Sequence, residues 1–583
     1  MGHRYLLLIL PEREENEELV QHFATKTPLP LSWRHGRIQL FSDHLSDVLP
    51  LPQGNGVIIG KLFRRHGYPE QVCQLKSDDA ARFVPHPSQG LIDHYWGSYV
   101  AAFSDPDRVT ILREPSGGMP CYYLSSRGVV AFTSDISLLI DAGLLTASVN
   151  WNAVGRTLYW HQLPPEETAI AGVSQLLGGC SLILEGSGIR RAENWSPWDY
   201  IASDRDNDPE RRSEGLKNVI QTSISAWASC FPRALVGLSG GLDSSIVAIC
   251  LANSSAKVTC LTLATDDPVG DERSYAGQVS RAIDAELIEG FYADDDIDLD
   301  QSVAAGFPIP SGKTHEHTYN KKVRAAAETS EADAFFVGAG GDNVFYLTHS
   351  VRPLLDRLRV EGWSSDLIRT ARDICRITGA NIWEVIWEAA RISVRKVPGL
   401  PWKGAGDYLS REFVESERCR SPEHPWLRPD DTVPLGKKGH VAMILRALHH
   451  IEHRDKALAA PMISPLLSQP VIEFCLAIPS WWACEGGTDR AVARRAFADA
   501  LPAPVLSRSG KGSPDGFVAR FIARHRVAIA ERLLEGNLAR HGLLDRAAVE
   551  SVLAPNARFE LLDCPRVMAL LDTEAWTKSW SAR

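Results

Sequence analysis

The chain has 583 residues, 44% hydrophobic and 23% charged, a composition that excludes extended disorder, collagen and coiled coil and, at roughly one domain per 150 residues, allows about two to four domains. Lys and Arg total 62 against 72 Asp and Glu, a net charge of −10, so no global field draws it to nucleic acid or anionic lipid, and any polyanion site is local. The eleven cysteines are odd in number, irregularly spaced and without a CxxC pair, which excludes a disulfide framework or a zinc knuckle.

The apolar start, Tyr5 to Leu10, is too short for a signal h-region and runs into Glu12, Glu14 and Glu15. No apolar run approaches the roughly 18 residues of a spanning helix, so the reading is cytoplasmic, without membrane or nucleic-acid partner. Residues 5–10, 56–63, 96–103, 109–112, 129–133 and 181–185 predict short strands bounded by Gly, Pro, Asn and Ser, as in an antiparallel sandwich or layered sheet. The polar, charged stretch 199–213 reads as an interdomain linker. Beyond it the pattern alternates: a strand at 234–238, a helix from Ser244, a strand at 258–263, a helix from Glu272 and a strand at 334–337. Such alternation predicts a parallel sheet with helices on both faces. After about residue 350 the periodicity is helical nearly to Arg583.

The stretch richest in chemistry is Leu235-Val-Gly-Leu238-Ser239-Gly240-Gly241-Leu242-Asp243-Ser244-Ser245, an apolar strand turning through two glycines into a helix. Glycines let backbone approach an anion, the helix N-terminus offers unpaired N–H groups, and hydroxyls add donors. The loop lacks the lysine of a Walker A sequence and places a carboxylate, Asp243, where magnesium on the phosphates can sit. A second glycine turn, Gly338-Ala339-Gly340-Gly341-Asp342-Asn343, follows another apolar strand.

SGGLDSS resembles the PP-loop of ATP pyrophosphatases, which cleave ATP between its α- and β-phosphates, and the second turn is similar to the pyrophosphate and magnesium loop of the asparagine synthetase superfamily. Ser464 to Phe474 and Arg508-Ser-Gly-Lys511-Gly-Ser513 extend the resemblance, the latter as the family's Arg-x-x-Lys-Gly loop with its catalytic lysine. Between 488 and 540 there are ten Lys and Arg against five Asp and Glu, as suits a segment that closes over a triphosphate. The resemblance implies ATP contacts at Leu238, Ser239, Gly240, Gly241, Asp243, Ser244, Ser245, Leu263, Gly338, Gly340 and Arg508, magnesium on Asp243 and Asp342, and catalysis by Lys511.

Tyr95 to Ala101 and Leu112-Arg113-Glu114 through Tyr123 resemble the glutaminase domain that precedes such synthetases. A glutaminase needs cysteine directly after Met1, whose thiolate attacks glutamine while the freed amine acts as base. Here that residue is Gly2 and the first cysteine is Cys73. The resemblance therefore implies an inactive, glutaminase-like αββα domain of the Ntn hydrolase type at 1–205, followed at 206–583 by a PP-loop α/β domain with many helices. Cys121 and Cys180 read as core.

The string Gly-Gly-Asp-Asn-Val-Phe, with His424-Pro-Trp-Leu427 and Gly436-Lys-Lys-Gly-His440, looks like the lasso peptide cyclases of this superfamily. Ala339 stands where asparagine synthetases carry Glu and β-lactam synthetases a Tyr, so no general base is assigned. The resemblance implies a ligase that needs no glutamine: it adenylates an Asp or Glu side chain of a precursor peptide, and the peptide's N-terminal amine closes a macrolactam. Its partners would be that peptide, a leader peptidase and a leader-binding protein. A β-lactam or other small-molecule synthetase, a tRNA-modifying enzyme and a dead scaffold remain the alternatives. His449 and His453, four apart on a helical stretch, lack the HEXXH pattern of a metal site, and the group with His450 reads as a polar helix face. Glu423 and His424 read as substrate contacts or as structural anchors.

Overall fold

Strands near the N-terminus carry large apolar side chains on both faces, so each sheet needs a cover on each side. The computed structural model, which describes residues 3–11, 16–186, 188–201, 208–394, 400, 402–452, 460–508, 510, 512–557 and 563–581, shows how these faces are covered. The strands are β1 Tyr5–Ile9, β2 Leu31–His35, β3 Ile38–Ser42, β4 Val48–Pro50, β5 Gly56–Arg64, β6 Tyr95–Ser104, β7 Arg108–Arg113, β8 Tyr122–Ser126, β9 Val129–Thr133, β10 Ser174–Gln175, β11 Cys180–Glu185 and β12 Gly188–Glu193. They form two six-stranded antiparallel sheets, ordered β10-β8-β9-β1-β3-β2 and β12-β11-β7-β6-β5-β4. In the first, Leu7 stands between Leu40 of β3 and Phe132 of β9.

Alternation sorts the residues of β1. Tyr5, Leu7 and Ile9 meet Val57, Ile59, Val100 and Ile111 between the sheets. Leu6, Leu8 and Leu10 face outward to a cluster with Val20, Phe23, Val154 and Leu158 from two helices. The outer face of the second sheet, through Ile58, Leu62 and Tyr99, joins Leu91, Leu216, Ile220 and Ile224. The result is the expected helix-sheet-sheet-helix layering. Cys121 and Cys180 lie in its core, where burial pushes their thiols up to about 11 and about 12.

The second unit contains a parallel sheet of β13 Arg233–Gly237, β14 Lys257–Ala264, β15 Glu286–Phe291, β16 Ala334–Val337 and β17 Met462–Ile463. Its order is β15-β14-β13-β16-β17. The helix Leu242–Ala252 packs with β13 and β14 in one core, and Val323, Ala326 and Ala327 of the helix Glu316–Thr329 cover the other face at Leu235, Leu261 and Phe335. From β13 the chain steps outward to β15, then returns to the far side of β13 as β16. That reversal opens a crevice at the C-terminal ends of β13 and β16, where doubly wound sheets bind ligands.

The 199–213 stretch is not linker throughout. A helix begins at Pro209, because the Asp208 side chain accepts hydrogen bonds from the Glu210 and Arg211 amides and proline fits the first turn. Residues 202–207 lie outside the described set. β15 and β17 add strands that periodicity did not reveal: β15 is a half-exposed edge, and β17 is two residues long. Among the described residues no helix is long and apolar enough to cross a membrane.

One carboxylate ties the two units together. Glu473, on the helix Gln469–Ala477, receives both Arg65 guanidinium nitrogens at 2.6 and 2.7 Å, the Trp195 indole N–H at 2.8 Å and the Gln469 amide at 2.8 Å. Both partners of the ion pair are largely shielded from solvent. Glu473→Gln keeps the shape and strands Arg65 without a counter-charge, and should cost about 3 kcal/mol. Urea unfolding followed by tryptophan emission would show it as a lower midpoint.

Candidate active site

After β13 the backbone leaves the sheet with the Leu238 amide bonded to Leu261 O at 2.8 Å, then turns through Ser239-Gly240-Gly241 into the helix Leu242–Ala252. Gly240 has φ +65°, and a methyl group on it would lie 2.3 Å from Tyr275 Cβ. The serines hold the turn from inside. The Ser239 amide donates to Ser244 Oγ at 3.2 Å, the Gly241 amide to Ser239 Oγ at 3.3 Å, and the Ser245 hydroxyl to Gly241 O at 2.8 Å.

The second loop leaves β16 at Gly338 and packs directly on the first. A methyl group on Gly338 would lie 2.5 Å from the Ser244 amide nitrogen, and one on Gly341 would lie 2.3 Å from Asp243 Cγ. Asn343 donates to Met443 O at 2.6 Å and the His440 ring to Val344 O at 2.9 Å, pinning this loop to the helix Leu435–Glu452. Asn343 and His440, noted for their resemblance to the cyclases, are thus buttresses of the loop.

Asp243 and Asp342 converge on one point. Arg490 Nη1 lies 3.2 and 3.3 Å from the two Asp243 oxygens and 2.5 Å from Asp342 Oδ1. Burial alone would lower the Arg490 pKa, but Asp243, Asp342 and Asp489 outweigh it and hold the guanidinium above its ordinary value. Arg490 sits in the left-handed region at φ 49°, ψ 38°, a backbone conformation that non-glycine residues adopt at functional sites at a cost of about 1–3 kcal/mol. Two carboxylates meeting at one cationic position form a hard-oxygen pair suited to magnesium, which takes one or two carboxylates plus phosphate oxygens. No larger group of His, Cys, Asp and Glu able to hold a metal assembles among the described residues.

Arg508 enters from the C-terminal segment. It donates to Ser239 O at 3.3 Å and to Glu272 Oε1 at 2.6 Å, and stacks over Tyr275 with its guanidinium carbon 4.2 Å from the ring centre. The Gly512 amide also donates to Glu272 Oε1, at 2.8 Å. Lys511 lies outside the described residues, as does Gly2.

These groups line one cavity of about 780 Å³. Of the residues named from sequence, Leu238, Ser239, Gly241, Asp243, Ser244, Leu263, Gly338, Gly340, Asp342 and Arg508 line it. Gly240 and Ser245 serve the turn behind it. Sequence reasoning missed Arg490, Glu272 and the far wall, which includes Lys313, Glu316, Tyr319 and His349. Its trace was the local excess of positive charge after residue 488. His449 is buried, whereas His450 is exposed where it borders this cavity, so the expected polar face holds for His450 and not for His449. His453 lies outside the described residues.

The other sequence candidates are structural. His424 is buried, accepts from the Trp426 amide at 3.2 Å and meets that ring edge-on, while Trp426 packs against Trp195. Arg113 gives its guanidinium to the carbonyls of Met119, Leu176 and Gly117, each at 2.7 Å. Glu114 accepts from the Ser116 hydroxyl and the Gly118 amide, and burial pushes its carboxyl up to about 7.

The asparagine synthase family matches residues 216–578. No curated protein sequence matches. Among solved structures, the glutamine phosphoribosylpyrophosphate amidotransferase from B. subtilis complexed with ADP and GMP is 8% identical, with 50% of this chain and 91% of that one covered at a TM-score of 0.21. An allosteric regulatory enzyme of purine biosynthesis is 10% identical, with 57% and 89% covered at a TM-score of 0.22.

Gly338→Ala forces the two loops apart, and should cost roughly 1–3 kcal/mol as overpacking while weakening ATP binding, measured by calorimetry. A second prediction concerns the cavity wall at Val303, which Asp572 fastens by accepting from the Ser302 hydroxyl at 2.6 Å and the Val303 amide at 2.9 Å. Burial raises this carboxyl from 3.8 to about 7. Between those values the native state binds a proton that the unfolded chain lacks, so this contribution to stability falls as pH rises through the window. Melting temperatures of Asp572→Asn should lose that part of the decline.

Proposed function

The chain belongs to the asparagine synthase family of ATP-dependent amide-forming synthetases, and on that footing we propose that it closes a macrolactam in a ribosomal peptide, as lasso peptide cyclases do. The observation that carries the reading is the convergence of two glycine loops, Asp243, Asp342 and two arginines at the ends of adjacent parallel strands. Such a site suits a triphosphate whose β- and γ-phosphates leave together.

In the proposed reaction a side-chain carboxylate oxygen of the peptide attacks the α-phosphorus of ATP, and the bond to pyrophosphate breaks. The peptide's N-terminal amine then attacks the activated acyl carbon, the bond to AMP breaks, and the amine loses its proton as the amide forms. Loop amides and the Ser239 and Ser244 hydroxyls would orient the phosphates. Asp243 and Asp342 would hold magnesium, which supplies charge neutralisation to the departing pyrophosphate. Arg490, held by Asp243 and Asp342, and Arg508, held by Glu272, line the same cavity and are placed to offset charge that develops in it. Lys511 keeps the catalytic role implied by its loop. Ala339 brings no base, but Glu316, His349 and His450 line the same cavity and can take the amine's proton. Glutamine has no part in this scheme, and the peptide delivers its own amine.

A small-molecule acceptor is the second reading, favoured by a cavity of about 780 Å³, a volume ordinary for small-ligand pockets. Product analysis tests the scheme. ATP should yield AMP and pyrophosphate only with a linear precursor peptide present, and the peptide should become one water lighter by mass spectrometry. Peptide-dependent ADP and phosphate would sink it, and turnover with small amino acids alone would favour the second reading. Arg490→Met should lower the rate of pyrophosphate release on the order of 100-fold, with Lys rescuing in part because it restores charge without the planar fork. Asp243→Asn and Asp342→Asn should each abolish pyrophosphate release across a magnesium titration.

A further inference from the structure

A polar side chain that lines a cavity and finds no partner in the protein calls for an explanation, and a ligand is the natural one. Such groups gather on one stretch of the cavity wall, where the chain runs from β15 into the helix Glu316–Thr329 and Ser311, Lys313 and His315 line the space. Among the described residues the Lys313 ammonium makes no hydrogen bond or ion pair, and the Ser311 hydroxyl and His315 Nδ1 are buried without a hydrogen-bond partner. The other cations of the cavity differ. Arg490 is held by Asp243 and Asp342, and Arg508 by Glu272. The charge of Lys313 acts instead on two imidazoles, His161 and His315, which burial lowers to about 4 and about 3. Both are neutral near neutral pH, so neither offers Lys313 a negative charge.

The backbone under this stretch is fixed from behind. A methyl group on Gly312 would lie 2.4 Å from Asp572 Oδ2, and the fully buried Thr314 donates its amide and its hydroxyl to Met568 O at 3.4 and 3.3 Å. Gly312 and Thr314 thus pack on the last helix, and the three side chains that alternate with them line the cavity. An unpaired cation on a fixed backbone attracts an anion more strongly inside a cavity than in open water. The phosphates of ATP have donors of their own in the two glycine loops. The other reactant of the adenylation proposed above is a carboxylate. We infer that Lys313 receives that carboxylate and holds the substrate's acidic side chain in the cavity for attack on the α-phosphorus. The identity of the anion rests on the adenylation reading, whereas the existence of an anion site rests on the wall itself.

Calorimetry with magnesium and α,β-methylene-ATP, which is not cleaved at the bridge to pyrophosphate, tests binding apart from turnover. The probes are N-acetyl-aspartate methylamide and N-acetyl-asparagine methylamide, alike in shape and different by one charge. The wild-type chain should bind the aspartate probe more tightly. Lys313→Met should weaken that probe roughly 10-fold to 100-fold, the worth of a hydrogen bond to a charged group, with the asparagine probe and the nucleotide unchanged. Lys313→Glu should reverse the preference, and Lys313→Gln repeats the test should the Met variant fail to fold. Equal affinity for the two probes in the wild-type chain overturns the inference, as does a preference that survives Lys313→Met. Loss of nucleotide affinity in Lys313→Met with the preference intact would assign the lysine to the phosphates instead. A preference that Lys313→Met removes, in a chain that releases no pyrophosphate from ATP with a precursor peptide, would keep the carboxylate site and discard the adenylation reading.

Discussion

A methyl group on Gly341 would stand 2.3 Å from the Asp243 carboxyl carbon, and one on Gly338 would stand 2.5 Å from the Ser244 amide. The site follows from that contact. With no side chains between them, the ends of β13 and β16 bring two backbone turns together, and the carboxylates they carry, Asp243 and Asp342, reach one guanidinium nitrogen. Neighbouring strands alone would not produce this. The return of the chain across β13 must open the crevice, and glycine must line its floor, so topology and residue type are needed jointly.

Electrostatics then run counter to the chain's overall sign. A protein of net charge −10 sets Arg490 and Arg508 in the cavity wall with Arg494 bracing them from behind, and each is held by acids or carbonyls of the scaffold. Arg494 bonds to Asp489 at 2.9 Å and to the Arg508 carbonyl at 3.0 Å, and Arg508 to Glu272 at 2.6 Å. Positions fixed in this way need little rearrangement as charge moves during a reaction, which is the main source of electrostatic catalysis.

What could be read in advance divides along a physical line. Strands with long apolar runs, such as β1, β6 and β14, announce themselves because both faces are buried. β2 and β12 are largely exposed, and β17 gains its strand character from β16 beside it, so no local pattern marks them. The two glycine loops were legible because glycine, serine and aspartate at fixed spacing have few other uses. Arg490 was not, since it meets Asp342 across 148 positions of sequence. Asn343 and His440 belong to strings that resemble the lasso peptide cyclases, and their hydrogen bonds brace the second loop. Resemblance located the neighbourhood, while the bonding partners decided what each residue does there.

The N-terminal two-sheet unit has a mechanical part in this arrangement. Its Arg65 and Trp195 close on Glu473, whose helix follows the Ser464 to Ser468 turn, and Trp227 donates to Ser468 Oγ at 3.0 Å. On the other side Ala169 donates to Pro308 O at 2.9 Å, and Asp572 and Trp576 of the last helix bind Ser302, Val303 and Phe307 in the same wall segment. The segment that lines the cavity at Val303 and Ala304 is therefore clamped from both units. These bonds hold the wall segment in register with the two glycine loops.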